Sequence, residues 1–243
     1  MPRCNAASET KSRGRSDVRL PHLLRSPASE IASQYASAVV AAGKTPWRLA
    51  NFCVVDLELS GLDSRHDEIV SYAAVPVDLG RVIVGGTLYG LCKPTRPLVE
   101  TSVLVHGIRT VDVADALPLD EAIQPLIAAM TGRVTVAHVA WVERSFLTSA
   151  FKRQGIRLRE PVLDTNSLGR LLAFEREAPS PPRSLTQLAQ SLNLPVHRQH
   201  NALGDALTTA QVFIALATHL DEFSPETVQT LARADDRTRL YKV

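Results

Sequence analysis

The sequence predicts an α/β protein with a mixed, five-stranded central sheet flanked by helices. Three strand-like segments come first, at FCVVDLEL, IVSYAAVPVD and RVIVGGTLYGLCK. Helical segments then alternate with two short strand-like segments, RVTVAHV and PVLDT. Because strands joined by short turns pair antiparallel and strands joined through helices pair parallel, this order favours a mixed sheet.

Residue types distinguish the predicted loops from the predicted helices. SGLDSRHDE is a turn-rich link, and the prolines of EREAPSPPR exclude regular structure from that loop. The last helix has the strongest pattern, because Leu203, Leu207 and Ala210 recur at helical spacing and suit a buried face. Helices are predicted at Leu119–Met130, at Val142–Gln154, from PVLDT through Leu172, at Ser184–Asn193 and at Ala202–Leu216.

The chain divides into three parts by composition. Residues 1–50 form an N-terminal extension, and its first 28 residues are polar and basic, which is typical of a disordered segment. A helix is predicted over residues 29–42, with Ser29 near its cap. This helix either packs on the domain surface or binds a partner. Residues 51–220 form the main domain, and the charged residues 221–243 form a short helix or a tail.

Composition excludes several classes of protein. The 243 residues are 45% hydrophobic, which allows a sizeable core, and no apolar run is long enough to span a membrane. Cys4, Cys53 and Cys92 are widely spaced, which indicates reduced thiols in a cytoplasmic protein rather than a disulfide framework or a zinc cluster. The N-terminus lacks the apolar stretch of a secretory signal. A formal net charge of +2 is compatible with a nucleic-acid partner without requiring one.

The first predicted strand carries two acidic residues near its end. Asp56 and Glu58 are two apart, so the alternation of a strand places both carboxylates on one face. Two such acids on an apolar strand repel each other and are costly to desolvate unless a cation lies between them. Oxygen ligands of this kind select Mg²⁺ or Mn²⁺. The alternative is a solvated strand end with no ligand.

The last predicted helix is preceded by a histidine and contains an aspartate. His200 and Asp205 are five apart, so on one continuous helix they would point roughly 140° apart, at ~100° per residue. Both face one site only if His200 precedes the helix and Asp205 lies within it, with Asn201 as the cap. Asp205 then holds a metal from a rigid helix, while His200 reaches in from a loop. The alternative is a loop histidine beside an aspartate favoured by the helix dipole.

A third acidic residue opens the helix after the RVTVAHV strand. Glu143 therefore lies beyond the carboxyl end of a strand, which is where α/β folds place ligands. An acid in the first turn of a helix is also stabilised by the dipole alone, so this position has a purely structural alternative.

Together these segments resemble three motifs of the DEDD exonuclease superfamily. VVDLELSGLD is similar to the motif D-x-E-T-T-G, AHVAWVERSFL to A-H-N-x-x-F-D-x-x-F-L, and HNALGDA to H-x-A-x-x-D-A. HGI, DTNSLGR and SLTQLAQSLNL also fit. The resemblance runs from about Phe52 to Leu216. It lies in the histidine-bearing branch, close to the proofreading epsilon subunit of DNA polymerase III and its stand-alone bacterial relatives, and it implies a ribonuclease-H-like fold.

The resemblance also implies a mechanism with two Mg²⁺ or Mn²⁺ ions per site. Asp56, Glu58 and Asp205 would hold one ion, Asp56 would bridge to the second, and Glu143 would support the second through water. His200 would be the general base, because histidine is the side chain that exchanges protons near neutral pH. Contacts to the substrate are implied for Leu57, Ser60, Gly61, His106 and His138. The product would be a nucleoside 5′-monophosphate.

The substrate and partners implied by the resemblance leave alternatives open. A single-stranded DNA 3′ end is favoured over RNA, although an exoribonuclease or oligoribonuclease of the same superfamily remains an alternative. A DNA polymerase subunit is a candidate partner, and a membrane is not. A weakly active module that binds a polymerase or nucleic acid is the second hypothesis.

The chain departs from the family motifs at four positions. Leu59 and Ser60 stand where two threonines are preferred, and Val139 replaces a common asparagine. Glu143 stands where aspartate is usual. Its additional methylene moves the carboxylate by ~1.5 Å, which a water-mediated role tolerates better than direct ligation.

Overall fold

The computed structural model describes Met1, residues 29–178 and residues 184–240. Disorder is expected for the first 28 residues, and all of these except Met1 lie outside the described ranges. The strands are β1 (Asn51–Leu59), β2 (Ile69–Asp78), β3 (Arg81–Val82), β4 (Leu88–Leu91), β5 (Val134–Ala137) and β6 (Val162–Asp164). The helices are α1 (Glu30–Ser37), α2 (Glu100–His106), α3 (Leu119–Ala122), α4 (Gln124–Met130), α5 (Trp141–Arg153), α6 (Thr165–Glu175), α7 (Leu185–Ser191), α8 (Ala202–Phe223), α9 (Val228–Ala232) and α10 (Ala234–Leu240).

A mixed sheet lies at the centre, which confirms the predicted fold class. Its order is β3-β2-β1-β5-β6, with β4 also paired to β2. β1 runs antiparallel to β2 and parallel to β5, and β5 runs parallel to β6. The chain passes through helices between these parallel strands, as their direction requires.

The sheet has six strands instead of the five predicted. The third predicted strand is divided into β3 and β4 by a 3₁₀ turn at Val84–Gly86, and both pieces pair with β2. The turn contains Gly85 and Gly86, and glycine weakens a continuous strand because it loses more backbone entropy and offers no side chain for packing.

Several helix limits differ from the sequence expectation. The predicted helix over residues 29–42 begins after its Ser29 cap but ends at Ser37, ahead of the β-branched Val39 and Val40. The predicted helix over 119–130 is divided at Ile123, just before Pro125 in the first turn of α4. Helix α8 continues to Phe223, seven residues beyond the predicted end. Helix α2, rich in β-branched residues, was not predicted.

The two faces of β1 bury different layers of the core. Phe52 and Val54 pack with residues of α6, α7 and α8, whereas Cys53, Val55 and Leu57 pack with residues of α4 and α5. Asp56 and Glu58 continue the series of Phe52 and Val54, so the alternation of the strand directs them toward the α8 side.

Residues at both ends of the described chain join this core. Tyr35 of α1 is buried in the α5 layer, and its hydroxyl accepts the Arg159 N–H at 3.0 Å. Trp47 and Val228 are buried in the α8 layer. The division at residues 50 and 220 remains a prediction. No helix in the described ranges is both long and apolar enough to cross a membrane.

Candidate metal centre and adjoining cavity

Three carboxylates from two regular elements meet at the end of β1. Asp56 and Glu58 are on the strand, and Asp205 lies in the first turn of α8. Each offers one oxygen, and these three oxygens lie within 4.8 Å of one another. The placement of Asp56 and Glu58 on one face and of Asp205 on the helix is confirmed.

Burial makes the charged form of all three carboxylates unfavourable. Burial raises the pKa of Asp56 well above its usual range, and the charges of Glu143, Asp205 and Glu58 raise it further. Burial, followed by the charge of Asp205, raises the pKa of Glu58 to about 7. Burial also raises the pKa of Asp205, although a hydrogen bond from the His200 backbone opposes this. Clustered carboxylates that resist ionisation fit a divalent cation, which removes their repulsion.

Glu143 lies beside this group and is not one of its three members. It is in the first turn of α5 and is only 6% exposed. Burial raises its pKa to about 8, and the charges of Asp164 and Glu58 contribute. Its Oε2 atom is buried and has no hydrogen-bond partner among the residues that the structure describes. A buried carboxylate oxygen of this kind is costly unless a water or cation reaches it, so Glu143 also fits a metal-bearing site.

His200 is on the turn that precedes α8, as the helix period requires. Its φ is +54°, which is the left-handed region, and its side chain is exposed. The His200 N–H donates to Asp205 Oδ2 at 2.7 Å. Asn201 is the cap, and its Oδ1 accepts the Gly204 N–H at 3.2 Å. The turn therefore connects the candidate base to a candidate metal ligand through one hydrogen bond.

Gly204 is a site-supporting residue that the sequence reasoning missed. A Cβ at this position would lie 2.1 Å from the backbone carbonyl oxygen of Arg198. The first turn of α8 therefore packs directly against the backbone of the segment that leads to His200. Its position one residue before Asp205 is the sequence signal, since glycine inside a helix often marks close packing.

Asp164, the first residue of DTNSLGR, has a role that the sequence reasoning did not assign, because it holds the turn between β5 and α5. Asp164 Oδ1 accepts the N–H of Val139 at 2.9 Å and that of Asn166 at 3.0 Å. Its Oδ2 accepts the Ser167 hydroxyl at 3.0 Å. The bond to Val139 fixes the start of α5 and hence the direction from which Glu143 enters. An aspartate just before a helix is a cap signal, but its contact with a turn 25 residues away is not visible in the sequence.

Val139 itself adopts an unfavourable backbone conformation. Its φ is +58°, and the left-handed region is poorly suited to a β-branched residue. Asparagine tolerates this region much better, which supplies a physical reason for the asparagine common in the similar motif. In this protein the turn has a left-handed backbone at this position although valine disfavours that conformation.

A cavity of about 360 Å³ opens beside Glu58. Four of the predicted substrate contacts line it, namely Leu57, Ser60, Gly61 and His106. Its other lining residues, which the sequence reasoning did not identify, are Leu59, Leu62, Thr101, Ser102, Val105 and Val142. The fifth predicted contact, His138, is not among the lining residues, and its Nδ1 is 3.0 Å from the Thr165 hydroxyl. The substrate roles of all five remain predictions.

Two residues that line the cavity, Gly61 and His106, also have structural roles. A Cβ on Gly61 would lie 2.4 Å from Asp67 Oδ2, an atom that accepts the Asp63 N–H at 2.9 Å. The His106 Nδ1 accepts the Ile108 N–H at 3.0 Å, which leaves the proton of the neutral ring on Nε2. Burial lowers the pKa of His106. Its ring is thus neutral and fixed in orientation.

Comparisons with known proteins agree with this geometry. The family model described as Exonuclease (RNase_T) matches residues 53–213. A DNA polymerase III subunit epsilon-like protein of Rhodobacter capsulatus is 35% identical over 179 residues, which cover 72% of this chain and 25% of that protein. A PolC-type DNA polymerase III of Thermotoga petrophila is 31% identical over 166 residues, which cover 68% of this chain and 12% of that protein. The chain thus spans a quarter or less of the length of these relatives.

A solved structure supports the fold independently. Exonuclease X, in complex with 5′ overhanging duplex DNA, matches with a TM-score of 0.58 at 24% identity. The match covers 75% of this chain and 98% of that chain. All the residues of the candidate site lie inside the range matched by the family model. The chain therefore belongs to the Exonuclease (RNase_T) family, in agreement with the resemblance of its motifs to the DEDD superfamily.

Proposed function

We propose that this protein is a metal-dependent 3′–5′ exonuclease that releases nucleoside 5′-monophosphates from single-stranded DNA 3′ ends. The observation that carries this proposal is the group of three carboxylate oxygens within 4.8 Å of one another, bordered by a cavity of about 360 Å³. The volume lies within the range of small-ligand pockets, and Glu58 belongs to both features. A terminal nucleotide in the cavity would place its phosphate at the carboxylates.

In this proposal the carboxylates would hold two divalent cations, and their oxygen chemistry favours Mg²⁺ or Mn²⁺. Asp56, Glu58 and Asp205 would hold one ion, Asp56 would bridge to the other, and Glu143 would support the other through water. When bound, such ions activate a water molecule and neutralise the leaving oxygen. The Glu143 Oε2 atom has no hydrogen-bond partner within the described part of the chain, which supports a role for this residue toward water or metal.

His200 is the proposed general base. Its exposed position on a turn lets the imidazole reach a water molecule beside Asp205, and its backbone bond to Asp205 Oδ2 limits its movement. The imidazole takes the proton of the attacking water as the new P–O bond forms. The bond to the 3′ oxygen of the preceding nucleotide breaks, this oxygen takes up a proton from solvent water, and the terminal nucleotide leaves with a 5′ phosphate.

DNA is the proposed polymer, and a DNA polymerase subunit is the proposed partner. The named relatives are DNA polymerase III proteins, and the matched structure of Exonuclease X contains DNA. RNA remains the alternative polymer, because the 2′-hydroxyl distinguishes the two and no residue has been assigned to contact it. Matched DNA and RNA oligonucleotides would decide between them. A cytoplasmic location, predicted from the cysteine pattern, is part of the same proposal.

The direct test uses a 5′-labelled single-stranded oligonucleotide with Mg²⁺ or Mn²⁺. We expect progressive shortening from the 3′ end, release of nucleoside 5′-monophosphates, and no shortening in the presence of a chelator. Asp56→Asn is the matched control, because it removes a charge with little change in volume, and it should reduce shortening to background. Absence of shortening in the wild type, or undiminished shortening in Asp56→Asn, contradicts the proposal.

A weakly active binding module is the second candidate. It is favoured by the position of Glu143 outside the group of three carboxylates, at a place where the family has aspartate. If the exonuclease proposal is correct, the wild type is fully active and Glu143→Asp changes the rate by less than ~10-fold, as expected for a residue that acts through water. A near-inactive wild type that Glu143→Asp activates strongly would favour the module.

A further inference from the structure

A buried serine on β2 has no hydrogen-bond partner in the described ranges. Ser71 is 0% exposed, and its Oγ atom is one of the buried polar atoms without a partner there. Other buried serines are engaged. The Ser102 hydroxyl donates to the Val99 carbonyl at 2.9 Å, and the Ser167 hydroxyl donates to Asp164 at 3.0 Å. A buried hydroxyl that makes no hydrogen bond is destabilising, so the one on Ser71 needs a reason.

The register of the sheet places Ser71 directly opposite Glu58. The two are Cα partners in the antiparallel pair of β1 and β2, and the register shifts only after this pair, between Glu58 and Leu59. Side chains of such partners project from the same face of the sheet, with their Cβ atoms ~4.5–5.5 Å apart. Ser71 therefore lies on the same face as the carboxylates, at the end of β1 where they meet.

The other neighbours of Ser71 within the sheet offer no side-chain acceptor at the same distance. Leu91 of β4 is opposite Ser71 on its second side, and Ala73 follows two residues along β2 on the same face. Asp56 is the partner of Ala73, so it lies diagonally across from Ser71, at ~7–8 Å. Within the sheet, Glu58 is therefore the adjacent side chain that can accept a hydrogen bond from this hydroxyl.

We propose that Ser71 is a positioning residue, whose hydroxyl donates a hydrogen bond to the Glu58 carboxylate when a divalent cation is bound. This role rests on the proposed exonuclease function, because the cation belongs to that site. An ionised carboxylate has two accepting oxygens, so one can bind the cation while the other accepts the Ser71 hydroxyl. Contacts that orient a metal ligand in this way strengthen metal binding.

The proposal gives the serine opposite effects in the two states of the site. Without a cation, the hydroxyl is buried and unpaired, so Ser71 destabilises the folded protein. With a cation, the same hydroxyl holds a metal ligand in place. A serine with only a structural role would stabilise the fold whether or not a cation is present. Stability and metal affinity should therefore change in opposite directions when the hydroxyl is removed.

Ser71→Ala tests this pair of effects in the full chain, because alanine removes the hydroxyl and adds no atom that could collide. We expect the thermal midpoint in a chelator to rise by ~2–4 °C, since an unpaired buried group is lost. Affinity for Mn²⁺ without substrate, measured from the electron paramagnetic resonance signal of the free ion, should fall ~10–100-fold. A lower midpoint, or an unchanged Mn²⁺ affinity, would overturn the proposal.

Ser71→Cys separates the hydrogen bond from the volume of the side chain. Cysteine fills the site at least as well as serine, but its thiol is only a weak donor. This variant should therefore bind Mn²⁺ more weakly than the wild type, as Ser71→Ala does. Wild-type affinity in Ser71→Cys would show that packing and not the hydroxyl supports Glu58, and the proposal would be wrong.

Kinetics distinguish a positioning residue from one that contacts the substrate. The Mn²⁺ concentration for half-maximal exonuclease rate should rise ~10–100-fold in Ser71→Ala, and saturating Mn²⁺ should restore the wild-type rate. A rate that stays low at saturating Mn²⁺ would overturn the positioning role. If the wild type binds Mn²⁺ and shortens oligonucleotides, and Ser71→Ala binds Mn²⁺ equally well, the role of Ser71 is wrong and the exonuclease function stands. If the wild type does neither, both are wrong.

Discussion

The site has two halves that the fold supports in different ways. Asp56, Glu58 and Asp205 are on a strand and a helix whose regular periods bring their oxygens within 4.8 Å. Glu143 and His200 depend on turns, and each turn contains a non-glycine residue in the left-handed region, Val139 in one case and His200 itself in the other. We call Asp56, Glu58 and Asp205 the regular half, and Glu143 and His200 the turn-supported half. The regular half holds three carboxylates close together, and the turn-supported half positions the groups that would act on water.

The two halves differ in the kind of interaction that makes the folded site unfavourable. In the regular half it is electrostatic, because burial and mutual repulsion raise the pKa of Asp56 and of Glu58. In the turn-supported half a conformational cost is added to the electrostatic cost of Glu143, because left-handed backbone is unfavourable for residues with a Cβ. Binding of a cation relieves the first, whereas only surrounding contacts maintain the second. Substitutions in the two halves should therefore differ in whether metal rescues them.

The largest effect in the turn-supported half is expected for His200→Ala. Loss of the general base should reduce the exonuclease rate by about 10²–10⁴-fold, and excess Mg²⁺ should not restore it. The thermal midpoint should remain near that of the wild type, because the side chain is exposed. His219→Ala, toward the other end of α8, is the control and should leave the rate unchanged. A wild-type rate in His200→Ala would place the base elsewhere.

Gly204→Ala should have the next largest effect. The added methyl group would collide with the Arg198 carbonyl oxygen, 2.1 Å away, and displace the turn that contains His200. We expect a loss of ~10–100-fold in rate, which is typical when a supporting contact of a metal site is lost. The free energy of unfolding and the rate are both measured.

Gly85→Ala is the matched control for that collision. A Cβ at Gly85 meets no atom within 4 Å, so this variant should retain both rate and stability. A Gly204→Ala enzyme with full activity would show that the turn adapts without loss, and the two halves of the site would then be less different than proposed.

Two buried carboxylates, Glu58 of the regular half and Glu143 of the turn-supported half, predict a pH-dependent stability in the metal-free protein. Glu58 and Glu143 have pKa values raised from 4.5 to about 7 and about 8, so the folded state binds more protons than the unfolded state between pH 4.5 and 8. Stability must therefore fall as pH rises through this window. We expect the thermal midpoint in a chelator to decrease across it, and Mg²⁺ to reduce the decrease.

Asp56→Asn provides the comparison for that titration. Removal of one repelling carboxylate should raise the metal-free thermal midpoint at pH 8 and weaken its dependence on pH. A midpoint that is flat or rises with pH in the wild type would show that the carboxylates are not repelling one another in the folded state.

The smallest effect is expected for Val139→Asn. Because asparagine tolerates the left-handed region, we expect this variant to be stabilised by about 1 kcal/mol in denaturant unfolding, with little change in rate. Leu79→Asn is a control far along the chain, since Leu79 has a φ of +52° and is exposed. Stabilisation at Leu79 without stabilisation at Val139 would mean that packing of the valine side chain offsets its backbone strain.

Much of the regular half was predictable, because it depends on the side-chain repeat of a single strand or a single helix. Alternation along β1 placed Asp56 and Glu58 on one face, and the helical angle separated His200 from Asp205. The boundaries were less predictable, because the turn that divides β3 from β4 and the short α2 depend on contacts with other segments. The role of Asp164 was missed for the same reason, since its bond to Val139 spans 25 residues.

The sequence by itself determined the mixed α/β class, the family motifs and the identity of the acidic residues, because these depend on residue type and local period. Only the tertiary structure decided that Glu143 lies beside the three carboxylates without joining them, and that Gly204 must lack a side chain. These features depend on distances between segments far apart in the chain, and such distances are set when the layers pack on the sheet and not by the pattern of any one segment.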